Sequence, residues 1–592
     1  MALQRLSSNL VIHRGELLSK LLDRGFTRKV YLSDYGVTGD GSDATDALLA
    51  ASKDISAMVD PIVEVFMPVG SNTCGRQELA GAKGLGYSYR PTYRTEHGNT
   101  GWFYINGRKG ITIVHWGGYK LKLNDGMKHG AFDPITGEIH PSNSPFRDTD
   151  YQAYAGHVVA FKQNEHLIRY GVNVDGNATG AVWGGKWGDS GYQCASFGIW
   201  DAGNKKVEAY DDVSVNALLD NLHISIEGST IYDLERSADY YNCTYLDGRR
   251  QNITIAGGSA IRFHGGVAMR AGRKCQGATS TYYSAPEANF DIESESGKVY
   301  DVVINDMKLV DGGLNTFLAA SFINPFSRAT LNRCLLRSDT SIAQIYVTGS
   351  SIRFDDCVIE GSGFDVRTKA HQTMVEFRRC IIRNHIDGIP GSFQRYTGEI
   401  GVMEDCLFDI KMNAGMSPTA TLFALTAGNA TMSNPSPEQG IFRYNRIQVS
   451  GNQDDVPEST QGRTYLGSIQ FFQDMDLRII AAGLTGASLV DINTDGSTVN
   501  QRGITVDTDK VVDRTQGTSV AMPSGGYMLR RTMQIAAATL APQVSEVTTL
   551  GSNGRRFADL FMGKAGINIQ ASDGSKWRIS VTPQGTLNVT PG

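Results

Sequence analysis

One short phrase, apolar-x-x-Cys-x-apolar, recurs along the middle of this chain and constrains its fold more than any other feature. Successive fourth positions of the phrase are 27, 23, 23, 26 and 39 residues apart. A repeat in the low twenties is typical of a solenoid, in which each coil stacks on the coil before it. The phrase occurs at Ile304–Leu309, Leu331–Leu336, Phe354–Ile359, Phe377–Ile382, Met403–Phe408 and, more loosely, Phe442–Ile447, with Met307 and Asn445 in place of the first and last Cys.

The second half of the phrase has the side-chain alternation of a β-strand. Cys357 and Ile359 face one side, and Val358 and Glu360 face the other. The polar pair before each Cys predicts a bend between two short strands. The chain is therefore predicted to be all-β, a parallel β-solenoid with stacked Cys, Ile, Leu and Phe inside. Because the cysteines recur singly, without the close pairs of a zinc site, we interpret them as buried thiols.

Composition and motifs exclude several functions. The formal net charge of −5 leaves no basic footprint, so we expect no nucleic-acid partner. No apolar stretch approaches the ~20 residues of a membrane span, and Met1–Lys20 has no signal-peptide core, so we expect no membrane insertion. The Gly-x-Ser-x-Gly, P-loop and His-Glu-x-x-His motifs do not occur. We expect neither a metal nor a cofactor.

A glycine-rich segment near the start indicates which solenoid this is. Residues 34–49 read Asp34-Tyr-Gly-Val-Thr-Gly-Asp-Gly-Ser-Asp-Ala-Thr-Asp-Ala-Leu-Leu, which predicts turns followed by a helix over 44–55. The segment resembles the opening of pectate-lyase-like proteins, although Ala44 stands where that family usually has a second Asp. The resemblance implies a right-handed parallel β-helix whose open end is capped by the helix. It also implies that Ile62–Pro68 contains the first buried strand.

A second resemblance concerns chemistry. An Arg-bearing coil at Arg249 and Arg250 is followed by Ala285-Pro-Glu-Ala-Asn-Phe-Asp-Ile-Glu293. This is similar to a subset of phage tailspikes and other polysaccharide-acting β-helix proteins, where a Gly-Ile-Asp-Ile-Glu-Pro phrase follows such a coil. Asn289 and Phe290 replace the Gly and Ile, and Ser294 replaces the Pro, but the Asp-x-Glu is kept. The resemblance implies a polysaccharide-cleaving site.

Asp291 and Glu293 are the predicted catalytic residues. With Phe290 and Ile292 turned inward, the two carboxylates face outward, roughly 7 Å apart, on one exposed face. Their repulsion is expected to raise one pKa and leave an acid beside a base. Glycoside hydrolysis needs one carboxyl as acid and the other as base or nucleophile. The reach of the two side chains allows either retention or inversion of the anomeric configuration. The alternative is a solvated, charged face without chemistry.

Several residues are predicted to bind the substrate. Arg249 or Arg250 is expected to orient an acidic sugar or to hold a carboxylate in place. The insert at residues 178–215 contains an aromatic, glycine-rich stretch, Trp183–Tyr192, that suits binding to the faces of sugar rings. A loop that only packs over the solenoid has the same composition. The remaining candidates are His264, Tyr283, Asp239, Trp183 and Trp187, and Asp233 and Glu235 are further rivals to the two carboxylates.

We therefore predict four segments and one assembly. These are a leader at 1–25 for virion attachment, a β-helix at 26–450, a β-rich domain at 451–545 and a trimerisation module at 546–592. The last segment resembles the C-terminal modules of phage tail fibres and tailspikes. The expected protein is a homotrimeric tailspike in the virion tail, joined through its N-terminus to another tail or baseplate protein. It is expected to bind and hydrolyse a bacterial surface polysaccharide. A lyase using His264, Tyr283 or an Arg as base, and a non-catalytic receptor-binding spike, are the alternatives.

Overall fold

The structure is a computed structural model that describes about three fifths of the chain. It describes residues 27–77, 101–132, 136–139, 152–153, 155–184, 196–226, 236–272, 288–293, 297–313, 315–320, 328–338, 345–348, 351–361, 365–366, 375–383, 396–399, 401–412, 423–426, 440–452, 464–470, 472–485, 490–493, 499–506, 511–513, 520–521, 526–528, 533–536, 539–542, 567–570, 576–581 and 587–591.

Three strands make up each regular coil, and the coils stack in parallel. One coil consists of Ser237–Tyr241, Thr244–Leu246 and Gln251–Ile255, and the next of Gly258–His264, Val267–Met269 and Ala288–Glu293. Corresponding strands of these coils pair in parallel and in register. The predicted parallel β-helix is confirmed.

The strands fall into two large sheets and three small ones. The first sheet comprises Thr27–Tyr31, Asp40–Asp43, Ile62–Phe66, Gly70–Cys74, Ile111–His115, Tyr119–Leu123, His166–Tyr170, Asn173–Asp175, Lys206–Tyr210, Val213–Val215, Ser237–Tyr241, Thr244–Leu246, Gly258–His264, Val267–Met269, Val299–Asn305, Lys308–Val310, Arg328–Asn332, Leu335–Ser338, Ser351–Asp355, Val358–Gly361, Val375–Arg378, Ile381–Arg383, Val402–Glu404, Leu407–Met412, Gly440–Asn452, Phe472–Thr485, Val499–Val506 and Gly526–Met528. The second sheet comprises Gly101–Asn106, His157–Lys162, Ile199–Ala202, Asp220–Ser225, Gln251–Ile255, Ala288–Glu293, Asn315–Ala320, Ile345–Thr348, Asp365–Val366, Tyr396–Glu399, Phe423–Thr426, Thr464–Gln470, Val490–Asn493, Val511–Asp513 and Val520–Ala521. The small sheets comprise Lys128–Ala131, Gln152–Ala153 and Val182–Gly184; Met533–Ala536 and Thr539–Pro542; and Ile567–Gln570, Lys576–Val581 and Leu587–Pro591.

The cysteine ladder lies in the core, as predicted. Cys334, Cys357, Cys380 and Cys406 are buried free thiols. The Cys357 thiol donates to the Leu331 carbonyl one coil back, over 3.4 Å. A small, weakly polar side chain therefore suits this position, because it fills space and still satisfies a backbone acceptor.

The bend before each Cys carries alternating charges. Asp306, Arg333, Asp356 and Arg379 have φ of 58°, 52°, 53° and 53°, the left-handed conformation that ends one strand and starts the next. Arg333 donates twice to Asp306, at 2.8 Å each. Because neighbouring coils carry opposite charges here, a register slip by one coil would place like charges side by side.

The only α-helix among the described residues, Thr45–Ala57, covers a strand of the second sheet. It buries Leu48, Ala51 and Ile55. The hydroxyls of Ser52 and Ser56 accept hydrogen bonds from the amides of Tyr104 and Asn106, at 2.8 and 2.9 Å. These amides belong to Gly101–Asn106, the end strand of that sheet, so the helix satisfies donors of an otherwise open edge. The predicted helix is confirmed, and its role as a cap of the whole solenoid stays a prediction.

The chain divides into two compact units. One spans Met1–Arg530 with Ile535–Ala537, and the other spans Arg531–Gln534 with Ala538–Gly592. In the first unit, parallel pairing continues past residue 450 to Asp513, so the predicted boundary at 450 does not interrupt the ladders. The second unit contains the antiparallel sheet from Ile567 to Pro591. The four predicted segments stay predictions, and residues 1–25 lie outside the described residues.

In the part of the chain that is described, no helix is both long and apolar enough to cross a membrane.

Candidate functional site

The predicted catalytic pair lies on the strand Ala288–Glu293 of the second sheet. Phe290 and Ile292 point into the core, as predicted. Asp291 is fully buried, however, and the Glu293 side chain is 14% exposed. The prediction that both carboxylates share an exposed face is therefore wrong for Asp291. Strand alternation gives the side of the sheet that a residue faces, but it does not give what lies over that side.

Arg250 holds Glu293 in place. Its Nη2 donates to both carboxylate oxygens of Glu293, at 3.2 and 3.0 Å, and its side chain is almost fully buried. Burial disfavours the guanidinium charge, but the carboxylates of Glu293, Asp220 and Asp291 outweigh it and raise the pKa of Arg250. Of the two roles expected for this pair of arginines, Arg250 adopts that of a carboxylate clamp.

The surroundings of Asp291 disfavour its charged form, whereas those of Arg250 favour the guanidinium charge. Burial first, and the charge of Glu293 second, raise the pKa of Asp291 well above its usual range, with Arg250 opposing them. Gln251 Nε2 donates to Asp291 Oδ2. Within the described residues, Oδ1 of Asp291 has no hydrogen-bond partner. A hydrogen bond with Glu293 is a further cause of the raised pKa, so the arrangement favours a protonated Asp291 beside an arginine-bound Glu293 carboxylate.

A third carboxylate, which the sequence reasoning missed, completes the cluster. Asp220 begins the strand Asp220–Ser225 and is fully buried. Its Oδ2 accepts from the Thr254 hydroxyl at 3.0 Å and lies 3.1 Å from His223 Nδ1. Trp200, His223, Thr254 and Asp291 are register partners on successive coils. Finding Asp220 from the sequence would require the pairing register of coils of unequal length. Spacing along the chain does not reveal that register.

Aromatic rings stand beside the carboxylates on the same sheet. Phe197 stacks on His223 with a ring-centroid distance of 4.0 Å and on His157 at 4.6 Å. The Phe197 amide donates to His157 Nδ1 at 3.0 Å, so that nitrogen carries no proton. Because His223 contacts Asp220, these mostly buried rings lower the local dielectric around Asp220 and strengthen its electrostatic interactions.

Trp183 and Arg249 form a cation–π contact with each other. The Arg249 guanidinium lies 5.0 Å from the Trp183 ring centroid, and Trp183 Nε1 donates to the Ala178 carbonyl at 3.1 Å. His129 packs edge-on against Trp183, and its pKa is lowered to about 3 by burial and by Arg249. Binding of substrate by Trp183 and Arg249 stays a prediction. Trp187, Tyr283, Asp233 and Glu235 lie outside the described residues.

Asp239 and His264 belong to a different sheet from the carboxylate cluster. They lie on Ser237–Tyr241 and Gly258–His264 of the first sheet, with His264 Nε2 3.0 Å from Asp239 Oδ1. Proximity in sequence suggested that they would lie near Asp291 and Glu293, but the structure places them on a different sheet. His264 instead ends a column of stacked rings, each 4.5–5.5 Å from the next, which comprises Tyr31, Phe66, His115, Tyr170, Tyr210, Tyr241 and His264.

In the described ranges, no three His, Cys, Asp or Glu side chains are grouped so that they could hold a metal ion.

Comparison with known proteins gives distant structural likeness only. No protein-family model matches the chain, and no curated protein matches it. The A-module of the mannuronan C-5 epimerase AlgE4 of Azotobacter vinelandii is similar at 13% identity and a TM-score of 0.35, over 81% of this chain and 100% of that one. An endo-xylogalacturonan hydrolase from Aspergillus tubingensis is similar at 10% identity and a TM-score of 0.24, over 85% and 100%. PfbA, a surface adhesin of Streptococcus pneumoniae, is similar at 8% identity and a TM-score of 0.26, over 95% and 98%.

Proposed function

We propose that this protein is a bacteriophage tailspike that cleaves a bacterial surface polysaccharide by endo-glycosidic hydrolysis. The observation that carries the proposal is the unequal environment of Asp291 and Glu293. Asp291 is buried with a raised pKa, and Glu293 is clamped by Arg250. Two neighbouring carboxyls in opposite protonation states are what glycoside hydrolysis requires.

Asp291 acts as the acid in this proposal. Its proton passes to the glycosidic oxygen while the bond between that oxygen and the anomeric carbon breaks, and the oxygen keeps the electron pair. Exclusion of water around Asp291 keeps the proton available near neutral pH.

Glu293 acts on the anomeric carbon. In a retaining reaction its carboxylate attacks that carbon, and water later releases the sugar. In an inverting reaction it takes a proton from the water that attacks. Either route consumes one water per cut. Arg250 keeps the Glu293 carboxylate fixed in orientation for both.

The tailspike assignment is supported by the two resemblances in sequence and by the solenoid. The homotrimer, attachment through residues 1–25 to another tail or baseplate protein, and location in the virion tail are parts of the same proposal. A sedimentation measurement on the full chain tests the trimer directly, since a monomer would contradict it.

The function is tested on purified capsular and O-polysaccharides from a panel of bacteria, with mass and ultraviolet analysis of the products. We expect fragments heavier by one water per cut and without new absorbance. Asp291→Asn and Glu293→Gln are expected to lower the rate by about 10²–10⁴-fold. Asp46→Asn is the matched control, because its exposed side chain pairs only with Arg76 among the described residues.

Two outcomes would replace the proposal. Products that carry an absorbing unsaturated uronate would indicate a lyase, with His264, Tyr283 or Arg250 as the residues to test for proton abstraction. A polysaccharide that is bound but never cleaved would indicate a receptor-binding spike without catalysis.

A further inference from the structure

A continuous path of buried side chains connects Asp220 with Asp291. The Thr254 hydroxyl lies 3.0 Å from Asp220 Oδ2 and also contacts Gln251 Oε1. Gln251 Nε2 in turn contacts Asp291 Oδ2. All four side chains are buried, and Asp220 and Asp291 each have a second oxygen without a partner in the described part of the chain. The path runs from carboxyl to hydroxyl to amide to carboxyl.

With one proton between Asp220 and Asp291, the hydrogen atoms on this path have only two consistent arrangements. Thr254 has one hydroxyl hydrogen and can donate it to Asp220 or to Gln251, but not to both. If Thr254 donates to Gln251, Asp220 must carry a proton to donate to Thr254, and Gln251 then donates to an ionised Asp291. If Thr254 donates to Asp220, the Gln251 amide turns, its oxygen faces Asp291, and Asp291 must carry the proton.

The charges around the path also require a proton. Asp291 is faced by Glu293 on its own strand, by Arg250 just before the strand one coil earlier, and by Asp220 two coils earlier. Arg250 is already paired with Glu293. His223 contacts Asp220 at 3.1 Å, and donation from its Nδ1 favours an ionised Asp220. Two further buried carboxylates without a cation of their own would repel, so one of them is protonated.

We propose that Asp220 and Asp291 share one proton through Thr254 and Gln251, and that Asp220 is the positioning residue that places this proton on Asp291. An ionised Asp220, bound by Thr254 and His223, leaves the proton at the acid. The proposal deepens the proposed function and rests on it only for the catalytic use of that proton, because the sharing itself is a property of the free protein.

The test measures the titration of Asp291 without any substrate. Thermal unfolding is followed from about pH 4 to 9 for wild type and Asp291→Asn, and the difference in Tm between them isolates the contribution of Asp291. The Tm of Asp291→Asn is expected to increase relative to wild type as pH rises, because ionisation of the buried Asp291 destabilises the folded wild-type protein. The same pair is measured in the Asp220→Asn background, which closes a double-mutant cycle.

In the Asp220→Asn background, the Tm difference caused by Asp291→Asn is expected to have its midpoint at a pH lower by about one unit or more. The new amide donates to Thr254, which directs the path so that Gln251 donates to an ionised Asp291, and it also removes a negative charge. Thr254→Val separates these two effects, since it breaks the path but keeps Asp220. We expect a shift in the same direction for Thr254→Val and the wild-type midpoint for Thr254→Ser.

The outcomes are distinct. A shift with Asp220→Asn but none with Thr254→Val would show that the two carboxyls interact only through their charges and would overturn the sharing. A uniform loss of Tm with unchanged midpoints would show a structural role only and would also overturn it. Failure of the polysaccharide assay leaves this measurement intact, so the proposed function and the shared proton fail separately.

Discussion

Arg169 is a fully buried cation of the solenoid, and we expect Arg169→Met to destabilise the protein strongly. Its Nε donates to Asp212 at 2.6 Å and its Nη1 donates to Asp201 at 2.9 Å, and all three side chains are fully buried. Removing the cation leaves two carboxylates inside the coil. Breaking a buried pair from one side costs about 3–5 kcal/mol.

The remaining donors offset only part of this loss. Asp201 still accepts from the Tyr240 hydroxyl at 2.8 Å and from Asn204 Nδ2 at 3.3 Å, and Asp212 accepts from the Val172 amide at 3.2 Å. None of these donors carries a charge, so none replaces the attraction of the guanidinium. We therefore expect a decrease in the free energy of unfolding of about 3–5 kcal/mol at pH 8, measured by urea titration with circular dichroism.

The sign of the pH dependence follows from Asp212. Burial raises its pKa to about 6 although Arg169 opposes this, so the folded state binds more protons than the unfolded state up to that pH. Stability contributed by this group is present at acid pH and lost as pH rises through its folded pKa. Without Arg169 the pKa rises further. The penalty of Arg169→Met is thus expected to be smaller at pH 5 than at pH 8.

Arg333→Met is the matched control, because Arg333 also pairs with a carboxylate but the pair is more than half exposed. It is expected to leave the unfolding curve nearly unchanged. The reasoning is refuted if Arg169→Met unfolds like wild type at pH 8, or if its penalty grows towards pH 5. Partial recovery on adding Asp212→Asn to Arg169→Met would support it independently.

Three further predictions concern the site and the ends of the sheets. Glu293→Gln is expected to lower the free energy of unfolding by about 3 kcal/mol at pH 7, because it removes the carboxylate charge that pairs with the buried Arg250. Asp291→Asn is instead expected to raise Tm at pH 8; equal effects would contradict the opposite environments assigned to the two residues. Asn252 donates to the Met269 carbonyl and to Asn289 Oδ1, both at 2.8 Å, so Asn252→Ala is expected to cost about 3 kcal/mol in urea unfolding and the partly buried Asn332→Ala much less. Ser52→Ala leaves the Tyr104 amide without its acceptor and is expected to cost about 1–2 kcal/mol, with faster amide exchange at Tyr104 but not at Val159; unchanged exchange would show that the helix does not protect this edge.

The resemblances and the repeat anticipated much of the fold. The inward alternation at Cys357 and Ile359, and at Phe290 and Ile292, follows from the period of a strand, which needs no knowledge of neighbouring coils. The helix at 45–57 follows from local apolar spacing and turn residues in the same way. Local periodicity therefore determined which residues are strands and which side chains enter the core.

The environment of the candidate site was decided only by tertiary structure. Coils of unequal length separate Asp220, Thr254 and Asp291 by irregular intervals, yet the stacking of the coils brings Asp220 into hydrogen-bond contact with Thr254, and Thr254 into register with Asp291. The same register places Asp239 and His264 on the first sheet, away from the residues they neighbour in sequence. Burial of Asp291, which sets its pKa, depends on atoms packed from outside its strand. The sequence by itself determined the strands, the inward side chains and the pair of carboxylates. Only the stacking of coils decided which charges meet and which are removed from water, because those are properties of contacts between distant segments.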